Sequence, residues 1–409
     1  MTQQHYDAIV IGAGVAGSTA AILLAQSGWS VAMVEKRLFP RRKVCGECIA
    51  ASNLPLLDAL GIGAAFASRA GAPLRRVGLF AGDHLFTAAL PRYQHAEHGW
   101  GRALGREHLD TLLLARATAL GASIWQPWSV RATSRADDRH VCHLRRSDTG
   151  ATATLSASVL IDAHGSWEAD PLGDRPHAVP RGSDLFAFKG NFSGADLEPS
   201  LLPVLAFPGG YGGMVVAEDE LLTLACCIRR DTLQSIRARA PGTKAALAVQ
   251  AHLESSCLGV RQALAGARAH GAWLSVGPIR PGIRTAARGA NVFAIGNAAG
   301  EAHPILGEGI SMAIQSAWLL CAQLIPARSE LIAAHASELP ARAFAAVWRR
   351  SFAPRIRTAA VFSHLAMRPA AASALVPLLR RWPGILTAGA RLGGKVRCVV
   401  DPATMAVSH

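Results

Sequence analysis

The sequence predicts an α/β protein with a Rossmann-type dinucleotide-binding domain, an inserted and mostly antiparallel β-sheet domain, and a helical C-terminal tail. Three features predict this arrangement. Residues 6–26 combine a short apolar strand, a glycine-rich turn and an Ala/Leu-rich helix; alternating apolar strands follow from about residue 176; and an arginine-rich segment interrupted by prolines starts near residue 340. The 409 residues are enough for two or three units with ample core.

The predicted domains are discontinuous, because the chain leaves the first domain and returns to it. The first domain is expected to comprise residues 1–75, 100–175 and 272–339, the inserted domain residues 76–99 and 176–271, and the tail residues 340–409. The clearest strand of the inserted domain is DLFAFKGNF, in which Phe186, Phe188 and Phe192 share one face. Lys189 lies on the opposite face of this strand.

Composition limits the partners and the compartment. The chain carries 42 Lys+Arg against 28 Asp+Glu, a formal net charge of +14, which favours an anionic cofactor, an acidic partner protein or an anionic membrane surface. The arginines are scattered and no nucleic-acid-binding signature occurs, so nucleic acid is not expected. Eight irregularly spaced cysteines do not form a disulfide scaffold, no signal peptide precedes the first strand, and no apolar run reaches about 18 residues. We therefore expect a cytoplasmic protein without a membrane span.

The first strand, turn and helix have the spacing of a dinucleotide-binding motif. Gly12, Gly14 and Gly17 follow the first strand directly, and the second strand ends at Glu35. In such a turn the first glycine makes the tight bend, the second lets the backbone approach a pyrophosphate, and the third lets helix and strand pack closely. An acidic residue at the tip of the second strand accepts the hydroxyls of an adenosine ribose. A dinucleotide cofactor is therefore predicted.

The sequence after Lys36 favours FAD over NAD. An NAD-binding domain would continue as a regular series of βαβ units, whereas here a basic loop, RLFPRRKVCGEC, and a long irregular stretch precede the next helix. A second glycine-rich loop, GNAAGEAHPILGEGI at residues 296–310, opens an apolar helix. The N–H groups and the positive dipole end of that helix suit the electron-rich N1–C2=O edge of a flavin.

These motifs, in this order, resemble the superfamily of FAD-dependent monooxygenases and geranylgeranyl reductase-like flavoproteins, which has the para-hydroxybenzoate hydroxylase type of fold. The resemblance covers about residues 5–325 and also includes RRKVCGE, GRALGREHLDTLLLARATALGA and LIDAHGS. It implies an FAD domain with a substrate domain over the flavin. Asn297 stands where the superfamily has an acidic residue for the ribitol, and His164 stands where it often has an aspartate. The implied cofactor-binding residues are Gly12, Gly14, Ala16, Gly17, Glu35, Lys36, Arg42, Gly46, Glu47, Arg106, Val130, Gly296, Asn297, Pro304, Gly307, Gly309 and Ile310.

The candidates for catalytic residues are Cys45, His303 and Lys189. The sequence shows no catalytic triad and no metal-ligand spacing, which suits a reaction carried by the cofactor. Cys45 and Cys48 form a CxxC motif beside the predicted flavin. A redox dithiol, a substrate-lining role for Cys45 and plain packing are all open interpretations.

We expect an FAD-dependent oxidoreductase that uses NAD(P)H and O₂ to hydroxylate an aromatic or polyene-like substrate of specialised metabolism, either free or tethered to a carrier protein. The alternatives are a reductase that saturates isoprenoid C=C bonds and a non-catalytic, FAD-stabilised binding protein. A flavin halogenase is disfavoured, because the WxWxIP motif of that family is absent and no lysine lies between Lys43 and Lys189. The tail around Arg368, Arg380 and Arg381 is expected to pack against the protein, with peripheral contact to an anionic membrane as the alternative.

Overall fold

The computed structural model describes residues 4–166, 179–333 and 339–401, so the predicted boundary between residues 175 and 176 lies outside the described residues. The helices are α1 (Val15–Gln26), α2 (Leu54–Ala59), α3 (Gly63–Arg69), α4 (Arg106–Ala119), α5 (Arg230–Arg239), α6 (Ala245–Ser256), α7 (Leu258–Leu264), α8 (Gly309–Leu324), α9 (Arg328–Ile332), α10 (Leu339–Ala366), α11 (Pro369–Arg381) and α12 (Gly384–Leu392). The strands are β1 (Gln4–Ile11), β2 (Val31–Val34), β3 (Cys48–Ile49), β4 (Arg76–Ala81), β5 (His84–Ala89), β6 (Arg102–Ala103), β7 (Ser123–Trp125), β8 (Trp128–Ala136), β9 (Arg139–Arg146), β10 (Thr152–Asp162), β11 (Leu185–Ser193), β12 (Leu201–Phe207), β13 (Gly210–Val216), β14 (Leu222–Arg229), β15 (Arg268–Ala269), β16 (Leu274–Ile279), β17 (Gly282–Ile283), β18 (Val292–Ala294) and β19 (Gly300–Glu301).

A first sheet carries the predicted dinucleotide-binding motif. Its strands run in the order β7-β2-β1-β10-β9-β8, and β18 also pairs with β10. The pairs β1–β2, β1–β10, β10–β18 and β2–β7 are parallel, whereas β8, β9 and β10 form an antiparallel meander. Successive residues of β1 face two separate cores, with Val10 in one and Ile9 in the other. Burial on both faces explains why β1 reads as a continuous apolar run.

The larger core of the molecule lies between this sheet and helices α1, α4, α8 and α10. Helix α4 contributes Leu109 and Leu113 from its predicted apolar face, and α8 contributes Trp318. The tail helix α10 contributes Phe344 and Trp348, both of which are fully buried. The first part of the tail is therefore an integral part of this core.

A second sheet has the strand order β15-β11-β14-β13-β12-β4-β5, with β16 also beside β11. Its pairs are antiparallel except β12–β4, which agrees with the mostly antiparallel sheet expected from the sequence. Strand β16 lies within residues 272–339, which the prediction assigns to the first domain, yet it pairs with β11. Ile279 at its end is buried with Leu185 of β11, and this packing holds β16 in the second sheet.

The sequence predicts breaks in the tail at Pro354, Pro369, Pro377 and Pro383, and two of these four interrupt the helices. Pro369 is the first residue of α11, and Pro383 immediately precedes α12. The expected breaks at Pro354 and Pro377 are wrong, since α10 and α11 continue through them. In α10 the buried residues on either side of Pro354 pack into the larger core, and this packing outweighs the lost backbone hydrogen bond. Within the described residues, no helix combines the length and apolar character needed to cross a bilayer.

Replacing Trp348 by alanine should destabilise the larger core, because the side chain is fully buried within that core. We expect the free energy of unfolding to fall by about 3–5 kcal/mol. Urea unfolding followed by circular dichroism measures the change. Val347→Ala, which alters the partly exposed neighbour, should cost less than about 0.5 kcal/mol. Equal effects of the two substitutions would contradict the integration of the tail into this core.

Candidate functional site

A cavity of about 1140 Å³ extends from the glycine-rich turn after β1 to the second sheet and the tail helices. Its wall contains residues of the basic loop 37–48, of the second glycine-rich loop 296–310, of both sheets and of α10, α11 and α12. The wall is rich in glycine and charged groups near the first sheet, and it is apolar near the second sheet and the tail. Both predicted glycine-rich segments therefore border one space.

The turn after β1 requires glycine at two positions for steric reasons. Gly12 has a φ of +100°, and a Cβ there would lie 2.6 Å from the carbonyl oxygen of Ala163. A Cβ on Gly17 would lie 1.9 Å from the carbonyl oxygen of Gly12, so α1 packs too closely on the turn for any side chain. Gly14 differs, because the nearest atom to an added Cβ is an Arg106 guanidinium nitrogen at 3.8 Å. No side chain caps α1 at Gly14, which leaves room and N–H donors for an anion.

Glu35 is buried at the end of β2, beside this turn. Its Oε2 accepts a hydrogen bond from the Ala13 N–H at 3.0 Å, and its Oε1 accepts one from the Arg37 N–H at 2.9 Å. The guanidinium of Arg41 lies 3.5 Å from Oε2. These contacts fix the carboxylate at the cavity wall. Since a carboxylate has about four lone-pair positions, it can still accept hydrogen bonds from ribose hydroxyls.

The cavity wall near Gly14 is cationic. Arg106, the first residue of α4, is held by two hydrogen bonds to the Asp110 carboxylate, at 2.7 and 2.8 Å. Lys43 lines the same cavity, and its burial together with the charges of Arg106 and Arg41 lowers its pKa to about 8. An anion in the cavity would favour the protonated amine and raise this pKa again. The wall therefore suits a pyrophosphate.

The second glycine-rich loop leads into α8. Gly307 has the left-handed conformation, with φ +61° and ψ +34°, and α8 begins two residues later at Gly309. A Cβ added to Gly309 would meet no atom within 4 Å, and no side chain caps this helix. Asn297 Nδ2 donates to Glu301 Oε1 at 3.0 Å, and Arg284 also pairs with Glu301. The Glu301 carboxylate therefore lines the cavity beside Asn297, which stands where the superfamily has an acidic residue.

His164 places a buried ring nitrogen at the cavity wall. Its Nδ1 is hydrogen-bonded to Asp162, which also forms an ion pair with Arg288 at 3.0 Å. Its Nε2 is buried and has no hydrogen-bond partner among the described residues. A buried polar atom in this state costs about 1–3 kcal/mol. A cofactor atom at this point of the cavity would remove that cost.

Glu47 connects the basic loop to the second sheet. Its backbone is left-handed, with φ +57°, and its carboxylate is almost completely buried. The carboxylate pairs with Lys189 of β11, accepts the Thr223 hydroxyl of β14 at 2.6 Å and accepts the Arg106 N–H at 3.0 Å. Among the described residues of the cavity wall Lys189 is absent, because its amine is directed to Glu47 instead. This geometry gives Lys189 a positioning role rather than contact with substrate.

Cys45 and Cys48 are both free thiols, and both line the cavity. Burial raises the pKa of Cys48, although the nearby Lys395 partly opposes this effect. Only the thiolate form of cysteine is nucleophilic. The raised pKa of Cys48 therefore favours packing or substrate lining over a redox dithiol.

His303 lies behind the cavity wall. Its Nδ1 is 3.1 Å from the hydroxyl of Tyr211, and Tyr211 lines the cavity. Burial, assisted by the neighbouring His364, lowers the pKa of His303 to about 4, so its ring is neutral at pH 7. Burial also raises the pKa of Tyr211 well above its ordinary value. The two residues form a neutral hydrogen-bonded pair in which Tyr211 is the member that contacts the cavity.

The far end of the cavity is apolar and lies between the second sheet and the tail. The sheet contributes Leu79 and Met214, and α10, α11 and α12 contribute Phe362, Leu379 and Leu386. This arrangement confirms that the tail packs against the protein. It also makes the tail part of the site, which the sequence pattern did not indicate.

Lys395, just after α12, brings an amine into this region. Its Nζ donates to the Cys48 sulfur at 3.7 Å and lies 3.1 Å from the position of a Cβ added to Gly307. Within the described part of the chain, this sulfur is its one hydrogen-bond acceptor. An ammonium group has three donors. Lys395 can therefore donate to an oxygen of a molecule bound beside the second glycine-rich loop.

Most of the predicted cofactor-binding residues line this cavity. Those that line it are Gly12, Gly14, Ala16, Glu35, Lys36, Arg42, Gly46, Glu47, Arg106, Val130, Gly296, Asn297, Pro304, Gly307, Gly309 and Ile310. Gly17 lies behind Gly12. Of the catalytic candidates, Cys45 lines the cavity, whereas Lys189 and His303 lie behind it. No local pattern marks Lys395 or the apolar tail residues, because they reach the cavity through contacts distant in sequence.

The open glycine positions, the cationic wall and the unpartnered His164 nitrogen together fit a dinucleotide. Residues 5–173 match the family described as FAD binding domain. FAD is therefore the cofactor, and NAD(P)H is the reductant typical of such flavoproteins. The α/β fold and the resemblance to the monooxygenase and geranylgeranyl reductase-like superfamily are both confirmed.

Similar sequences include two halogenating enzymes and a reductase. The chain is 34% identical over 162 residues to tryptophan 2-halogenase of Chondromyces crocatus, covering 38% of this chain and 30% of the relative. It is 33% identical over 144 residues to the 1H-pyrrole-2-carbonyl-[peptidyl-carrier protein] chlorinase of Pseudomonas fluorescens, covering 31% and 32%. Menaquinone reductase of Mycobacterium tuberculosis is 28% identical over 171 residues, covering 42% and 41%. The chain thus spans about a third of the length of the first two relatives.

Solved structures share the fold over most of the chain. The myxobacterial chondrochloren halogenase CndH has a TM-score of 0.71 at 22% identity, covering 85% of this chain and 80% of that protein. A geranylgeranyl bacteriochlorophyll reductase-like protein of Thermoplasma acidophilum has a TM-score of 0.73 at 17% identity, covering 99% and 95%. PqsL of Pseudomonas aeruginosa, described as a probable FAD-dependent monooxygenase, has a TM-score of 0.68 at 19% identity, covering 91% and 100%. These structures show that the chain shares the fold of FAD-dependent enzymes, and the FAD binding domain match supports the same class, while the reaction stays open.

Replacing Gly14 by valine should abolish FAD retention, because the added side chain would occupy the space of the pyrophosphate without touching the protein core. The ratio of flavin absorbance to protein absorbance after gel filtration measures the loss. Gly384→Val is the matched control, since an added Cβ there meets no atom within 4 Å and Gly384 lies outside the cavity. Full flavin content in the Gly14 variant would show that the pyrophosphate binds elsewhere.

Proposed function

We propose that the protein is an FAD-dependent monooxygenase that uses NAD(P)H and O₂ to hydroxylate an apolar aromatic or polyene-like substrate. The observation that carries the proposal is the apolar end of the cavity, which adjoins the loop 304–309. The superfamily places its flavin ring along the corresponding loop. In the proposed reaction a substrate C–H bond, O₂, NAD(P)H and a proton yield a C–OH group, water and NAD(P)⁺.

The protein's own contribution to this reaction is orientation and exclusion of water. FAD supplies the redox chemistry when bound. Leu79 and Met214 of the second sheet and Leu379 of the tail offer apolar surface to a substrate. Apolar surroundings limit loss of reducing equivalents to side reactions with water. Hydroxylation needs no protein nucleophile, which agrees with the low reactivity expected of the buried Cys48 thiol.

Lys395 further defines the substrate class. Its amine lies beside Gly307 at the apolar end of the wall, and its charge acts on the buried Glu308 carboxylate. A substrate with a carboxylate, phenolate or carbonyl oxygen would accept a hydrogen bond from it and be held in one orientation. We infer that the substrate joins a large apolar body to one such oxygen.

Saturation of a C=C bond is the second candidate function. This reaction transfers a hydride to one carbon and a proton to the other, so it needs a proton donor at the cavity. The Tyr211 hydroxyl, which its raised pKa keeps protonated, and the free thiol of Cys45 both line the cavity. The reductase-like protein that shares the fold and the menaquinone reductase relative support this candidate.

Halogenation is a third possible reaction, because two of the similar sequences are halogenating enzymes. The absence of the WxWxIP motif and of any lysine between Lys43 and Lys189 argues against it. The pyrrole chlorinase is named for a substrate on a peptidyl carrier protein. That name supports a carrier-tethered form of the substrate for this protein as well.

One reaction mixture separates these functions. The holoenzyme is given NADPH, chloride and ¹⁸O₂ together with a panel of phenols, indoles, pyrroles and polyprenyl compounds, and the products are analysed by mass spectrometry. Monooxygenation predicts one ¹⁸O atom per product and substrate-stimulated O₂ uptake. A product that gains two hydrogens and no oxygen would contradict it in favour of the reductase, and a chlorine isotope pattern would do so in favour of the halogenase. If no compound of the panel is converted or changes the reoxidation of the flavin, the result would favour the non-catalytic binding protein.

Replacing Lys395 by methionine should remove the preference of the cavity for an anionic aromatic ligand. We expect 1-hydroxy-2-naphthoate to bind the holoenzyme more tightly than its methyl ester does. Quenching of the flavin fluorescence measures both affinities. In the variant the affinity for the anion should fall about 10- to 100-fold, the effect of one hydrogen bond to a charged group, while the affinity for the ester stays unchanged. Arg397→Gln, which alters an exposed cation two residues away, is the control. Equal losses for both ligands would contradict the anchoring role.

A further inference from the structure

The net positive charge of the chain is concentrated in the tail, because acidic residues are almost absent there. Residues 339–400 contain ten arginines and one lysine and no aspartate or glutamate, so they carry eleven of the fourteen net positive charges. The rest of the chain is close to electrically balanced. A segment of one sign and this length attracts an anionic surface.

The tail also holds most of the large apolar side chains that are exposed. Of the twelve such residues in the described part of the chain, eight lie in α10–α12 or directly beside these helices: Leu339, Val347, Val361, Leu365, Leu378, Trp382, Ile385 and Leu392. Trp382 is 57% exposed, and the guanidinium of Arg381 lies 5.7 Å from its ring centre. In contrast, Leu379 of α11 is buried. Helix α11 therefore has one face toward the protein and an apolar, arginine-flanked face toward solvent.

Two of these exposed residues border the cavity. Leu365 and Ile385 are both partly exposed and also line the cavity. Helix α12 is fixed over the second sheet, where the Thr387 hydroxyl donates to the Ala89 carbonyl of β5 at 2.6 Å. The apolar surface of the tail is therefore continuous with the apolar wall of the proposed substrate site.

We propose that the tail surface, formed by Leu365, Leu378, Trp382 and Ile385 with Arg368, Arg380 and Arg381, docks on an anionic lipid membrane. The arginines neutralise lipid phosphates, and the tryptophan and aliphatic side chains enter the boundary between headgroups and acyl chains. A lipophilic substrate then passes from the bilayer between Leu365 and Ile385 into the cavity.

An acidic protein is the competing partner for the same charge. It would satisfy the arginines, but a contact carried by charge alone does not require four bulky apolar side chains to be exposed among them. Amphipathic helices with tryptophan and leucine on one face and arginine beside them are typical of proteins that lie in the membrane interface. The combination of charge and apolar exposure therefore favours lipid.

Vesicle sedimentation of the FAD-loaded protein tests the proposal. We expect the protein to sediment with vesicles of equal parts phosphatidylcholine and phosphatidylglycerol, to remain in solution with phosphatidylcholine alone, and to be released by high salt. Arg380→Gln with Arg381→Gln should weaken partitioning about 30-fold, since each arginine near an anionic surface contributes about a fivefold gain in binding. Leu378→Ser with Trp382→Ser should weaken it at least about tenfold through lost apolar burial.

Matched control positions are chosen outside the tail. Arg237→Gln with Arg239→Gln removes two exposed arginines of α5, and Leu247→Ser removes a side chain of α6 that is 50% exposed. Both controls should partition like the unaltered protein, and all variants should keep their flavin. The proposal is overturned if the unaltered protein ignores the anionic vesicles, or if the controls lose as much binding as the tail variants. Retention on immobilised acyl carrier protein without vesicle binding would overturn it in favour of an acidic protein partner.

Discussion

The buried carboxylate of Glu47 is the interaction on which the two halves of the site depend. It is reached from three directions, by the Lys189 amine, by the Thr223 hydroxyl and by the Arg106 N–H. The first two belong to the second sheet and the third to the helix beside the cationic wall. A buried charge is tolerated only when such partners surround it. The basic loop therefore has one position relative to both sheets, although Glu47 must adopt a left-handed backbone to reach it.

The cavity has a polar end and an apolar end, and Glu47 in its wall contacts both α4, beside the polar end, and the second sheet, which lines the apolar end. The polar end uses glycines, uncapped helix N-termini and cations, all of which suit a dinucleotide that carries a pyrophosphate. The tail completes the apolar end. Its helix α10 packs into the larger core, whereas α11 and α12 line the cavity. The same tail supplies Lys395 inside the cavity and arginines outside it. One segment thus links cofactor, substrate and the proposed membrane surface.

The parts of the site that sequence could predict are those fixed by local sterics. Gly12 and Gly17 have no room for a side chain, and such constraints produce a readable spacing. The ion pair between Glu47 and Lys189 joins residues 142 positions apart, and no periodicity reports it. The same holds for Lys395, whose partner Cys48 is 347 positions away. Pro354 was misleading for a related reason, since tertiary packing of α10 outweighed its local preference. The domain division stays a prediction, and β16 shows where pairing in the second sheet departs from it.

A double-mutant cycle on Glu47 and Lys189 tests the central role of this buried ion pair most directly. Lys189→Met alone leaves a buried carboxylate with too few partners and should lower the free energy of unfolding by about 3–5 kcal/mol. Glu47→Gln combined with Lys189→Met removes both charges, so the double variant should be more stable than the Lys189→Met variant. Urea unfolding of the four proteins gives the coupling energy. Single effects that simply add would show that the two charges do not depend on each other, and that result would contradict the account.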